Sequence, residues 1–207
     1  MKIFNKEIHF FDAKENNEPE ETIQQSALSY LRDFISLLIA VILISSLLFR
    51  VVIVSGPSMN NTLVHGDWLI LLNSAIFGEP ERGDIIVASK KSFEDGEPII
   101  KRVIATEGQE VDIDFSAGIV YVDGEALDEP YTLTPTNIYE GVNFPIVVEE
   151  GCLFVMGDNR NQSKDSRSLE IGLIDSREVL GKAIFLIFPG NNDGKVKREF
   201  SRIGVLA

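Results

Sequence analysis

The sequence predicts a mostly β protein, a coiled or barrel-like sheet domain carried behind a single N-terminal transmembrane helix. From Phe34 to Phe49 the chain reads FISLLIAVILISSLLF without a charge. Beyond Arg50 the apolar residues come instead in short runs rich in β-branched and aromatic side chains, each closed by Gly, Pro, Asn or Asp. No segment repeats at a fixed period.

Residues 1–33 read as an acidic, solvated tail, because KENNEPEETIQQ offers almost nothing to bury. The helix is expected over 34–50. At 1.5 Å per residue the uncharged run spans about 24 Å, short of a hydrocarbon core of about 30 Å. Leu28 to Leu31, with Arg32 and Arg50 snorkelling outward, can supply the rest. A cleaved leader would show a small-residue site after the run, and LLFRVVIV has none. A helix buried in a soluble core would carry a polar stripe, whereas only Ser36, Ser45 and Ser46 interrupt this one.

Residues 51–207 form the β domain. RVVIV, DWLILL, DIIVAS, PIIKRVIA, EVDID, GIVYVDG, FPIVVEEG, CLFVM and GKAIFLIFP are its expected strands. YVDGEAL contains a hairpin turn in which the glycine supplies positive φ. Residues 115–145 are expected to make a small excursion, with a Pro/Thr/Asn loop toward its end.

Composition excludes several functions. With 19 Lys and Arg against 32 Asp and Glu, a net charge of −13 disfavours nucleic acid, which needs a basic face. One cysteine, Cys152 in the apolar run CLFVM, rules out an internal disulfide and a multi-cysteine metal site. It reads as a small buried hydrophobe. The two imidazoles, His9 in the polar tail and His65 in the turn VHGD, suit neither a metal nor a catalytic triad, so no metal or other cofactor is expected.

Just behind the helix stands VSGPSMNNTL, with Ser58 in a turn. A serine hydroxyl is a weak nucleophile until a base takes its proton. Without a suitable histidine, the remaining base is a lysine held neutral, a known variant of triad logic. Burial among apolar groups disfavours the ammonium form. Lys101, inside EPIIKRVIA, has that setting. Alternation puts it on one face with Ile99 and Val103, and Arg102 on the other with Ile100. Strand statistics alone would leave it an edge lysine facing water.

SGPSMNNTL, RGDIIVA at Arg82 to Ala88, IIKRVIATEGQ from Ile99 and GDNRNQSKDSR at Gly157 to Arg167 follow one apolar helix. Together, in that order, they resemble the motifs of type I signal peptidases, Ser-Lys serine proteases of peptidase family S26. The resemblance runs from the helix to GKAIFLIFP, and the GDNR element is its most specific part.

It implies Ser58 as nucleophile and Lys101 as general base, with Ser163 orienting the lysine. It implies that Arg102, Asp158, Asp165 and Arg167 form an ionic framework. Met59, Leu63 and Ile99 would line a first substrate pocket, and Val52, Val54 and Ile100 a second, each admitting small side chains at −1 and −3. The oxyanion donor would be the Ser58 backbone. Pro57 has no N–H, and Gly56, where some members carry a hydroxyl residue, is the candidate second donor. Asn61 stands where many members have proline.

The implied partners are preproteins bearing signal peptides and the lipid bilayer; oligomeric state is left open. The implied location is the cell membrane, single-pass, with the tail cytoplasmic and the β domain outside. The alternative is a catalytically silent relative serving as a membrane-anchored assembly factor or chaperone for secreted or pilus proteins. A self-cleaving Ser-Lys repressor is disfavoured by the helix and by the lack of a DNA-binding domain.

Overall fold

The protein is described by a computed structural model over residues 23–206, apart from Ser92. His9 and the tail expectation for residues 1–22 lie outside the described residues. Contacts divide the chain between Leu43 and Ile44, most of an apolar helix forming the first unit and the sheets the second.

Helix α1 spans Ile23–Leu48, so it starts earlier than expected and stops before residues 49–50. The early start follows from Leu28 and Leu31, which continue the apolar character across Arg32 and Asp33. Its end falls where Val51, Val52 and Ile53 bring a β-branched run that prefers a pleated strand. Ser26–Leu48 has 23 residues with a mean hydropathy of 2.2. At 1.5 Å per residue that is about 35 Å, long enough to cross a bilayer. Its apolar side chains are exposed, Leu37 at 63% and Ile42 at 57%.

The strands are β1 Phe49–Ile53, β2 Trp68–Asn73, β3 Ile85–Ser89, β4 Pro98–Thr106, β5 Glu110–Asp114 and β6 Ile119–Val122. After them come β7 Glu125–Ala126, β8 Ile146–Val147, β9 Cys152–Met156, β10 Ile174–Asp175, β11 Val179–Phe188 and β12 Gly204–Val205. A one-turn helix, α2, covers Ser74–Phe77. All pairings are antiparallel.

The sheet domain is not a closed barrel. One sheet has the order β1-β2-β11-β3-β4-β9-β10, with β12 also on β11. The other, β7-β6-β5-β8, takes β6 and β7 from the expected excursion and β5 and β8 from either side of it. Asp123 (φ 53°) and Gly124 (φ 79°) form the tight turn between β6 and β7.

Alternation in β3 sends Ile85 and Val87 to one core and Ile86 and Ala88 to another, so the strand is covered on both faces. The first core gathers Val54, Met59, Leu63, Leu69 and Leu71; the second gathers Val103, Val155, Ile171 and Ile174. A register shift against β9 between Val103 and Ala105 passes Ile104 and Ala105 to a third core with Val111, Val120 and Phe154.

Candidate active site

Strand β4 runs between β3 and β9, and β9 joins it from Arg102 onward, so Lys101 stands at the last position before the strand is paired on both sides. Opposite it on β3 is Ile86, and its side chain is 5% exposed. Lys101 Nζ donates to Ser58 Oγ at 3.1 Å and to the Ile100 carbonyl at 3.1 Å. At this range a lysine amine, when uncharged, can accept the hydroxyl proton.

Ser58 projects from a loop whose neck is closed by Val54 N–H on Asp67 O (2.9 Å) and Gly66 N–H on Val54 O (2.9 Å). Met59 and Leu63 anchor it by burial in the first core. Among the described residues no acceptor takes the Ser58 N–H, which leaves it available to a developing oxyanion. Gly56 differs from expectation, because its N–H donates to His65 Nδ1 at 3.1 Å and is therefore occupied.

Arg102, on the face of β4 opposite Lys101, forms a fork with Asp158: Nε to Oδ1 at 3.0 Å and Nη2 to Oδ2 at 2.9 Å. Both are buried, at 3% and 0% exposure. Thr62 Oγ1 donates to the same carboxylate at 2.5 Å, linking the Ser58 loop to this clamp. The Arg102 guanidinium also lies 4.0 Å from the ring centroid of Tyr131, which the sequence reading missed. Burial, then the nearby Glu129 charge, raises the Tyr131 phenol well above its ordinary value.

A second clamp shapes the loop after β9. Arg167 Nε donates to Asp165 Oδ1 at 2.8 Å, and its Nη2 holds the carbonyls of Arg160 (2.6 Å) and Ser163 (3.3 Å). Asp165 Oδ2 accepts from Gly157 N at 3.0 Å. Arg160, also missed, is 1% exposed and ties this loop to Glu129 of the excursion. Ser163 is buried at 4%, and its hydroxyl donates to the Lys164 carbonyl at 3.4 Å. It stands close to the Ser58 loop: a Cβ on Gly157 would lie 2.2 Å from Ser163 Oγ and 2.5 Å from the Ser58 carbonyl oxygen.

A cleft of about 500 Å³ opens over Ser58 and Lys101. Of the expected pocket residues, Val52, Ile99 and Ile100 line it, together with Ser55, Phe93 and Glu97. Val54, Met59 and Leu63 do not; at 2%, 1% and 0% exposure they form the packed layer behind the wall. Phe93 comes from the loop between β3 and β4, and SFEDGEP gave no sign that its aromatic ring would face a cleft. A larger depression of about 740 Å³, lined by Phe77, Glu81, Arg82 and Gln109 among others, contains neither Ser58 nor Lys101.

No group of three or more His, Cys, Asp or Glu residues suited to a metal occurs among the described residues. Burial raises the Cys152 thiol above its ordinary value, which disfavours the reactive thiolate.

A half-buried serine hydroxyl stands against a buried lysine amine in a cleft on the β-sheet domain, an arrangement that suits the chemistry of the serine-hydrolase class. The profile of the family described as "Signal peptidase, peptidase S26" matches residues 27–188. "Probable signal peptidase I-1" of Synechocystis sp. is 38% identical over 172 residues, 77% of this chain and 84% of that protein. "Signal peptidase I" of Bacillus licheniformis is 33% identical over 176 residues, 81% of this chain and 92% of that one. A solved signal peptidase I from Enterococcus faecalis V583 is 29% identical, with a TM-score of 0.41, covering 51% of this chain and 97% of its own. The chain belongs to the signal peptidase family, peptidase S26, and is a peptidase.

Gly157 is the glycine whose missing side chain the site needs most. Gly157→Ala forces Ser163 or the Ser58 backbone to move, an overpacking that costs about 1–3 kcal/mol. The melting temperature is expected to fall by several degrees, and peptide turnover by about 10²-fold through misplacement of Ser58. Gly204→Ala, where an added Cβ meets nothing within 4 Å, is the control and should match the parent in thermal melts and initial rates.

Proposed function

We propose that the protein is a membrane-bound serine endopeptidase that removes N-terminal signal peptides from secreted preproteins after small residues at −1 and −3. The observation that carries this reading is the 3.1 Å contact between Lys101 Nζ and Ser58 Oγ on a lysine that is 5% exposed. The names of the relatives support the substrate class.

In this mechanism Ser58 Oγ attacks the scissile carbonyl carbon while the neutral Lys101 amine takes the hydroxyl proton. The oxyanion is met by the Ser58 N–H. Collapse breaks the C–N bond, Lys101 returns its proton to the leaving amine, and an ester to Ser58 remains. Water, deprotonated by Lys101, then releases the signal peptide and regenerates the hydroxyl. Asp158, Arg102, Asp165 and Arg167 hold the two strands and the loop in register, and the role of orienting the amine falls in this reading to Ser163, whose hydroxyl in this structure donates to the Lys164 carbonyl.

Strand geometry supports an extended substrate. Residues 98–101 pair with β3, while pairing with β9 begins at Arg102, so among the described residues β9 does not reach along this stretch of β4. Among the described strands, β1 pairs with β2 alone. A peptide adding beside them would gain main-chain hydrogen bonds, while Val52, Ile99, Ile100 and Phe93 limit side-chain size.

A bilayer partner is supported by α1 and by an exposed apolar row on the sheet domain. Ile53 pairs with Trp68, Trp68 with Phe188, and the Phe188 ring meets Phe200 at 5.9 Å, all four side chains being exposed. In this reading the tail is cytoplasmic and the sheet domain lies on the translocated side, where signal-peptide cleavage sites emerge.

Full-length protein in detergent is expected to cut a synthetic peptide carrying Ala-x-Ala after the second alanine. Leucine at −1 should lower kcat/KM by about 10²-fold. Absence of cleavage, with retained binding of unfolded secretory proteins, would favour the assembly-factor alternative.

A further inference from the structure

His65 lies seven positions beyond Ser58 and has no part in the proton transfers above, yet it crosses the neck of the Ser58 loop. Its Nδ1 accepts the Gly56 N–H at 3.1 Å, and its Nε2 faces Asp193 Oδ1 at 3.3 Å. A ring nitrogen that accepts an N–H must keep its lone pair. The opposite nitrogen, beside a carboxylate, carries the proton. The two contacts thus select one neutral tautomer.

The segment behind β11 braces the loop that carries the imidazole from outside. Asn192 N donates to the His65 carbonyl at 3.1 Å, and Gly190 N donates to Asp67 Oδ1 at 2.6 Å. Arg202 pairs with Asp67 at 2.6 Å and donates to the Thr62 carbonyl at 3.0 Å. The three donors, Gly190, Asn192 and Arg202, lie beyond residue 188, where the family match ends. On the inner side, the Gly56 N–H belongs to the peptide unit it shares with Ser55, and Ser55 lines the cleft. The tilt of that peptide is therefore set by the imidazole, two residues before the nucleophile.

We propose that His65 is a positioning residue of the Ser58–Lys101 centre, holding the nucleophile loop through Gly56 while Asp193 of the C-terminal segment holds the imidazole. The inference rests on the peptidase reading above and adds to it a residue that the sequence reading set aside as suiting neither a metal nor a catalytic triad.

The test compares His65→Ala with His65→Asn in full-length protein. Asparagine places Oδ1 near the position of Nδ1 and restores the acceptor, but it reaches Asp193 no better than alanine does. His65→Ala is expected to lower kcat on the Ala-x-Ala peptide about tenfold, the equivalent of one net hydrogen bond, with KM within about twofold. His65→Asn should recover most of that loss, although both variants show the same small fall in melting temperature. Parental kcat in His65→Ala, or equal slowing in both variants, would overturn the proposal.

A parent protein that leaves the peptide uncut would sink the peptidase reading instead. Amide exchange at Gly56 then decides the matter: faster exchange in His65→Ala than in His65→Asn upholds the brace, and equal rates remove it.

Discussion

Lys101→Met is expected to leave a folded protein that no longer cuts peptides. Methionine roughly matches the apolar stem of lysine in volume, so the swap is expected to cost under about 1.5 kcal/mol and move the melting temperature by a few degrees at most. What it removes is the group 3.1 Å from Ser58 Oγ. Loss of a general base together with loss of nucleophile activation should lower the rate of Ala-x-Ala cleavage by at least about 10³-fold. The pH dependence of the parent follows the same logic. Only the uncharged amine can accept the proton, so the rate falls as acidification fills its lone pair. Undiminished cleavage by the methionine variant, or a parental rate flat from mildly acidic to mildly alkaline solution, would refute the lysine base.

Asp158→Asn is expected to have the largest effect on stability. It leaves the Arg102 guanidinium, 3% exposed, facing a neutral amide in place of its bidentate carboxylate. Breaking one side of a buried pair typically costs about 3–5 kcal/mol, and a fall in melting temperature on the order of 10 °C follows. Because Thr62 donates to the same carboxylate, the Ser58 loop should loosen as well. Replacing both members by leucine should recover part of the stability, since no unpaired charge then remains. A thermal melt of Asp158→Asn that overlays the parent would show that the clamp contributes little.

The period of the sequence was enough for most of the architecture. Alternation in PIIKRVIA put Ile99 and Val103 on one side and Ile100 on the other, and the cores divide them that way. Strands β10 and β12, with two residues each, left no periodic signal, and neither did α2. The helix boundaries were missed because hydropathy alone does not register that Arg32 and Asp33 can ride on a helix, or that Phe49 and Arg50 prefer to pair with Leu72 and Leu71.

At the site, residue types announced Ser58 and Lys101 as a potential pair, whereas their separation depended on long-range pairing. Of the six residues expected to line substrate pockets, Val52, Ile99 and Ile100 border the cleft, and Val54, Met59 and Leu63 do not. A sequence cannot tell an apolar side chain that forms a wall from one a layer behind it, so Met59 and Leu63 were named and Phe93 was not. Gly56 and His65 are nine positions apart in the chain, and nothing local to either one foretold their contact.

The adjacency of Lys101 and Arg102 in β4 gives the register of that strand a chemical consequence. The two cations differ in kind, one able to give up its charge and the other permanently charged. Were β4 to slip by one position against β3, the guanidinium would enter the cleft and the amine would turn toward Asp158. Such a chain could strip no proton from any hydroxyl. The register of β4 against β3, with Lys101 opposite Ile86 and Arg102 opposite Ile85, thus decides which of the two cations meets the hydroxyl of Ser58.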